Sequence, residues 1–147
     1  MRNNSALFYT CSLIEFIGRR QKLKRSELVQ FLGEKAVKRI YRYADVFHCA
    51  PIEKTADDFI TNLNIPAGSF DNVASCRYTV PDYWTIGEVY ERLIEDISGD
   101  DEEHIIDRLI EVYTSWIDAA ISNYNTDFYY QSREYICLCY REGKICE

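Results

Sequence analysis

No long hydrophobic run occurs in this chain. The longest charge-free apolar stretch near its start, Ala6 to Ile14, is interrupted by Glu15 and falls short of the roughly 20 residues needed to span a bilayer. A basic n-region beyond Arg2 and a small-residue cleavage site are also missing. A cytoplasmic location with no membrane partner is therefore expected. Six cysteines are present (Cys11, Cys49, Cys76, Cys137, Cys139, Cys146), but none stands in a C-x-x-C pair. Without an export signal, free thiols are expected rather than disulfides. On a helix Cys137 and Cys139 point about 200° apart, a poor start for a tetrahedral zinc site even with Cys146 added. The G-x-S-x-G, P-loop, G-x-G-x-x-G and calcium-loop patterns are absent. The familiar signatures of nucleophilic catalysis, phosphate cradling and calcium binding go with them. Neither a metal nor a cofactor is expected.

What is present is a greasy, tyrosine-rich chain with its charge divided by position. Hydrophobic residues make up 47% of 147 residues, with 12 Tyr against 7 Phe and 2 Trp. That length suits one domain, able to bury roughly two thirds of its unfolded surface. Met1 to Lys54 carries 11 Lys/Arg against 5 Asp/Glu, whereas Thr55 to Glu147 carries 6 against 19. Such asymmetry suggests two halves that attract each other or separate partner surfaces.

Apolar residues recur at helical spacing almost throughout. The first segment, about Ser5 to Arg20, places Leu7, Cys11, Ile14 and Ile17 or Gly18 on one stripe. Ser26 is expected to cap a short helix that stops at Gly33, and a third helix carries Val37, Ile40, Tyr41, Ala44 and Phe47. After Pro51, Thr55 is expected to cap another short helix through Leu63. Residues 64–81 hold Pro66, Gly68, Asp71-Asn72 and Pro81 and read as an irregular connection, with a short extended piece at Cys76 to Val80. Thr85 then caps a helix with Ile86, Val89, Tyr90, Leu93, Ile94 and Ile97 on one face. Gly87 near its start permits close approach of another helix, and Trp84 before the cap reads as a hydrophobic staple. Asp100 or Asp101 begins a long helix reaching Tyr124, and Thr126 opens the last one, ended by Gly143. The sum is an all-α bundle of six or seven helices with a C-terminal three-helix antiparallel unit. Within the single domain 1–147, subdomains 1–64 (basic) and 82–147 (acidic) are expected to flank 65–81.

Three constellations bear on function. The run Arg19, Arg20, Lys22, Lys24 and Arg25 puts five positive charges over seven residues, a set that can grip phosphates or a partner protein. The corner Tyr124, Asn125, Tyr129 and Tyr130 mixes aromatic and polar groups, as contact surfaces do. An Arg followed after a few residues by His resembles the signature of the HEPN superfamily of small helical ribonucleases, and Arg42 and His48 stand in that relation. The resemblance implies His48 as acid–base group and Arg42 as stabiliser of charge on the scissile phosphate.

A broader likeness rests on the run Trp84 to Ile94 (W-T-I-G-E-V-Y-E-R-L-I) and on Val112 to Ile117 continuing to Tyr130. It resembles a pattern in small, uncharacterised bacterial helical proteins. The stretch Ser26 to Ile65 is similar to proteins encoded beside toxin-like genes in gut Firmicutes. That likeness implies an antitoxin-like role without a transferable site. With no catalytic constellation strong enough to stand alone, a non-enzymatic protein–protein interaction module is expected, its acidic surface suiting a basic partner such as a toxin. The Arg42/His48 ribonuclease is the alternative, and a DNA-binding regulator using Arg19 to Arg25 is the second. Homo-oligomerisation is left open.

Overall fold

The computed structural model describes residues 4–147. Among them are eight α-helices, one 3-10 turn and no strand, so the all-α expectation is met. The helices are α1 (Ser5–Gln21), α2 (Arg25–Arg42), α3 (Ala44–Phe47), α4 (Ile52–Leu63), α5 (Tyr83–Ser98), α6 (Ile105–Tyr113), α7 (Ile117–Ile121) and α8 (Arg133–Glu142). The 3-10 turn is Phe128–Tyr130. No helix among the described residues is long and apolar enough to cross a membrane.

Helix α1 is the axis of the bundle. Asn4 caps it, accepting from the Leu7 N–H at 3.0 Å, which satisfies one of the orphan donors of its first turn. The expected stripe Leu7, Cys11, Ile14 and Ile17 is buried, but so are Tyr9 and Leu13 on its other sides. The reason is that α5 lies along one flank while α2, α3 and α4 cover the other. A helix enclosed in this way has no polar face to give up to water. Gly87 sets the α1–α5 approach as expected. A Cβ there would overlap the Ser12 hydroxyl and stand 2.8 Å from Ser12 Cα and N, so only glycine allows this spacing.

Several starts differ from expectation, each for a local reason. Helix α2 begins at Arg25 rather than behind a Ser26 cap. The Glu27 carboxylate accepts from the Lys24 N–H at 3.2 Å, while the Ser26 N–H donates to Asp118. The expected stop at Gly33 is a kink, since its φ of 79° breaks the helical path and helix resumes at once. Pro51, not Thr55, occupies the cap of α4, and Thr55 is buried inside it. Asp82 caps α5, accepting from Thr85 N at 2.7 Å. Trp84 thus lies inside the first turn, against Phe8 and Tyr83, and is no staple. Helix α6 starts only at Ile105, behind a turn in which Asp101 takes the His104 ring nitrogen at 3.0 Å.

The single long helix expected to reach Tyr124 is two. Thr114 and Ser115 donate their hydroxyls to Ile110 O and Val112 O, each at 2.7 Å, and Ser115 Oγ then accepts from Ile117 N at 3.3 Å. Such back-bonding competes with the helical ladder and restarts the chain as α7. Ser132 caps α8 in place of Thr126, accepting from Tyr135 N at 3.2 Å. With α3 counted, these breaks raise the number from six or seven to eight. Helices α6 and α8 both pack on α5.

Residues 65–81 are irregular, and Cys76 to Val80 forms no strand. The segment is nevertheless anchored. Gly68 N and Phe70 N donate to Gln21 O and Lys22 O at 2.7 and 2.8 Å, and Arg77 N donates to Asn125 Oδ1 at 2.7 Å.

Candidate functional sites

The basic run lies at the α1–α2 junction and is largely consumed within the chain. Glu15, the one acid in α1, is buried at its centre. Arg25 grips it with two bonds, Nε to Oε1 and Nη2 to Oε2, both at 2.9 Å. Arg19 Nε reaches Oε2 at 2.8 Å, and the Tyr124 hydroxyl donates to the same oxygen. Arg25 is 0% exposed. Its remaining donors meet Leu23 O at 2.7 Å and Asn72 Oδ1 at 3.2 Å, and Asn72 donates onward to Ser122 O at 2.9 Å. Gly18 leaves the room in which the guanidinium stem lies, since a Cβ there would stand 2.7 Å from Arg25 Nε. Beside this cluster Asp118 accepts from Tyr90 at 2.6 Å and from Ser26 N at 3.2 Å. Tyr90 in turn stacks on Tyr113 with centroids 4.1 Å apart.

The electrostatics follow from the geometry. Burial alone would raise the Glu15 carboxyl, but the guanidiniums of Arg25 and Arg19 outweigh it and hold the group down to about 2. Burial raises the hydroxyl of Tyr124, and the Glu15 charge raises it further. Burial also raises the Asp118 carboxyl, with Tyr90 pulling the other way. A carboxylate held ionised, doubly clamped and shut off from water cannot exchange protons with a substrate near neutrality. This network is architecture.

The other predicted contact residues divide between pairing and exposure. Arg20 pairs with Asp57 across to α4, and Lys22 lies 3.7 Å from Asp71. Only Lys24 of the run carries no ion pair among the described residues. Tyr124 is buried, and Asn125 pins residues 65–81 through Arg77 N and through Ser75 O at 3.1 Å. Tyr129 and Tyr130 meet edge to face at 5.0 Å, and Tyr130 is exposed. They rim a small depression with Val89, Arg92 and Arg133. Arg92 itself pairs with Glu88 at 3.3 Å, as its position on α5 suggests.

Two grooves are larger than this depression. Arg42, at the end of α2, and His48, just after α3, line one groove of about 570 Å³ with Phe8, Tyr9, Tyr41 and Trp84. The His48 ring stands edge-on to Tyr9 at 5.9 Å, and Asp45 shares the groove. The second groove, about 380 Å³, runs between α2 and α4. Leu32, Ala36, Phe47, Phe59 and Leu63 form its apolar lining, and Lys35, Arg39, Asn62 and Asp58 complete it, Asp58 being paired with Lys54 at 3.1 Å. Phe47 and Phe59 pack edge to face at 5.6 Å, with the Arg39 guanidinium 6.0 Å above the Phe47 ring. Neither Lys35 nor Arg39 has an ion pair among the described residues. No cluster of three potential metal ligands occurs among the described residues.

The sequence reading missed Glu15, Asn72, Asp118 and Tyr90 as a polar unit. The available signal was Glu15, one charge on a helix otherwise uncharged up to Gly18. No known protein family, curated protein or solved structure matches this chain.

Proposed function

We propose that this chain is a non-enzymatic protein-binding module whose docking surface is the α2–α4 groove. The observation that carries the reading is an apolar trough whose two cations, Lys35 and Arg39, have no ion pair among the described residues, while its one acid, Asp58, is taken up by Lys54. Leu63, an exposed apolar side chain at the end of α4, lines the groove itself, and Phe31 on α2 and Val46 on α3 are exposed outside its lining. An apolar trough of this kind on a small protein marks an interaction site more often than scattered single residues do. The chemistry suits an amphipathic helix of a partner protein, with apolar anchors in the trough and acids toward Lys35 and Arg39. Burying one such anchor is worth about 1.5–3 kcal/mol before the cost of association.

Affinity capture from the native host tests this with wild type and two surface variants, Leu63→Glu and Lys35→Glu. A near-stoichiometric partner is expected with wild type, lost with Leu63→Glu and weakened with Lys35→Glu. An identical set of captured proteins from all three sinks the groove as the docking surface. The antidote form of this reading draws on another surface, the acidic shelf at Asp100 and Asp101, beside which Arg133 already takes up Glu95 and Asp96.

A second reading, the helical ribonuclease, is favoured by one observation: Arg42 and His48 share a groove. Single-stranded RNA threading it would find aromatic faces for its bases and a cation for its phosphate. Under this reading, RNA cleavage by the purified chain disappears in His48→Ala. Cleavage that persists unchanged removes His48 from the role.

A further inference from the structure

The six thiols are free, and two of them are brought together where α8 ends. Gly143 takes the left-handed conformation at the helix terminus, and its N–H and that of Lys144 both return to Cys139 O, at 2.9 and 3.2 Å. The tail then folds back along the last turn. There the Cys146 N–H donates to Cys139 Sγ at 3.2 Å, and the Tyr135 hydroxyl donates to Cys146 O. Cys146 is therefore pinned through both its N–H and its C=O, one pin being the Cys139 sulfur itself. The Cys146 Sγ, three bonds from that amide nitrogen and 3.9 Å from Lys144 O, belongs to the residue whose N–H already touches the Cys139 sulfur. Cys139 is fully buried beneath the tail, and Cys146 is half-buried. Cys137, two residues earlier, has no corresponding contact with the tail, because neighbours at that spacing leave a helix in different directions.

We infer that Cys139 and Cys146 form a thiol–disulfide exchange site that closes into an intramolecular disulfide when a low-molecular-weight disulfide such as oxidised glutathione is supplied. The half-buried member reacts first. Cys146, as thiolate, attacks one sulfur of oxidised glutathione, forming a mixed disulfide and releasing one glutathione thiolate, which takes up a proton from solvent. Cys139, as thiolate, then attacks the Cys146 sulfur of that mixed disulfide. The protein disulfide forms, the mixed bond breaks and the second glutathione departs. Two protein thiols are oxidised, and one oxidised glutathione becomes two reduced ones. Partial burial and the neighbouring Cys139 thiol push the Cys146 thiol up, so the exchange is best run at about pH 8.5, nearer the ordinary thiol range.

Incubation of the folded full-length chain with oxidised glutathione, followed by acid quench, alkylation and peptide mapping, reads the result directly. The expected product is a Cys139–Cys146 linked peptide lighter by two hydrogens, while Cys11 is alkylated only after unfolding. In Cys146→Ser, Cys139 stays reduced under the same treatment, because nothing presents the mixed disulfide to it. Three outcomes overturn the inference: a glutathione adduct that persists on Cys146, both thiols still free, or Cys146 linked to Cys137 instead.

Discussion

Arg25→Ala is expected to cost about 3–5 kcal/mol of folding stability, because it leaves a buried carboxylate without its bidentate partner. The guanidinium is fully enclosed and supplies bonds to Glu15, Leu23 O and Asn72. Its loss strands an acceptor on each of the last two as well as half the charge compensation of Glu15. Arg19 and Tyr124 remain on Oε2 but leave Oε1 bare. The double variant Glu15→Leu/Arg25→Met removes both charges while keeping apolar volume in the site. It is expected to regain part of the loss, since the uncompensated charge is gone, while Leu23 O, Asn72 Oδ1 and the Tyr124 hydroxyl stay without the partners they had. Urea titrations at pH 7 measure both. An Arg25→Ala loss below about 1 kcal/mol, within the range of an exposed pair, would show that the pair does not hold the α1–α2 junction.

The second large effect is a dependence on pH that runs opposite to ordinary acid denaturation. Glu91 is buried on α5, and that burial, together with Glu95 one turn later, pushes its carboxyl up to about 8 although Arg133 pulls it back. The folded state thus keeps a proton that the unfolded chain releases near 4.5. This contribution is complete below about pH 4.5 and is lost as pH rises through 8. Glu15 acts in the other window. Its folded value of about 2 lies below 4.5, so its contribution is complete above 4.5 and disappears as pH falls toward 2. Calorimetry across pH 5 to 8.5 is expected to give a falling transition temperature for wild type and a much flatter one for Glu91→Gln. Parallel curves for the two proteins would mean that Glu91 ionises normally in the fold.

How much of this was legible beforehand depends on the range of the interaction. The apolar face of α5 was readable, because Ile86, Tyr90, Leu93 and Ile94 repeat at 3.6-residue spacing and all are buried, although its cap is Asp82 and not Thr85. Gly87 was readable too, as a small residue on a packed face. The split between α6 and α7 was hidden, since Thr114 and Ser115 fit an apolar period yet turn their hydroxyls on the backbone. Residues 65–81 announced their irregularity through proline and glycine, but their attachment to Gln21, Lys22 and Asn125 depends on partners far along the chain. The basic run was the plainest misdirection. As sequence it is an exposed cationic patch. In the fold, Glu15 lies ten residues before Arg25 on an enclosed helix and draws Arg19 and Arg25 inward. Arg42 and His48 stand six residues apart in the sequence and line one groove; the α2–α4 trough needed Phe47 and Phe59 to be brought together by folding.

The enclosure of α1 has a consequence for the way the chain is made. Its two flanks are completed at very different times during synthesis: α2 to α4 follow directly, whereas α5 emerges only after the irregular segment. Until α5 is available to seat Gly87 against Ser12, a nascent chain presents Phe8 and Phe16, the partners of Trp84 and Tyr83, as a bare strip beside the ribosome exit. The assembly step that matters is therefore a late closure between distant parts of the polypeptide, which makes folding slower than for a bundle of sequential hairpins and leaves the half-made protein most prone to aggregate.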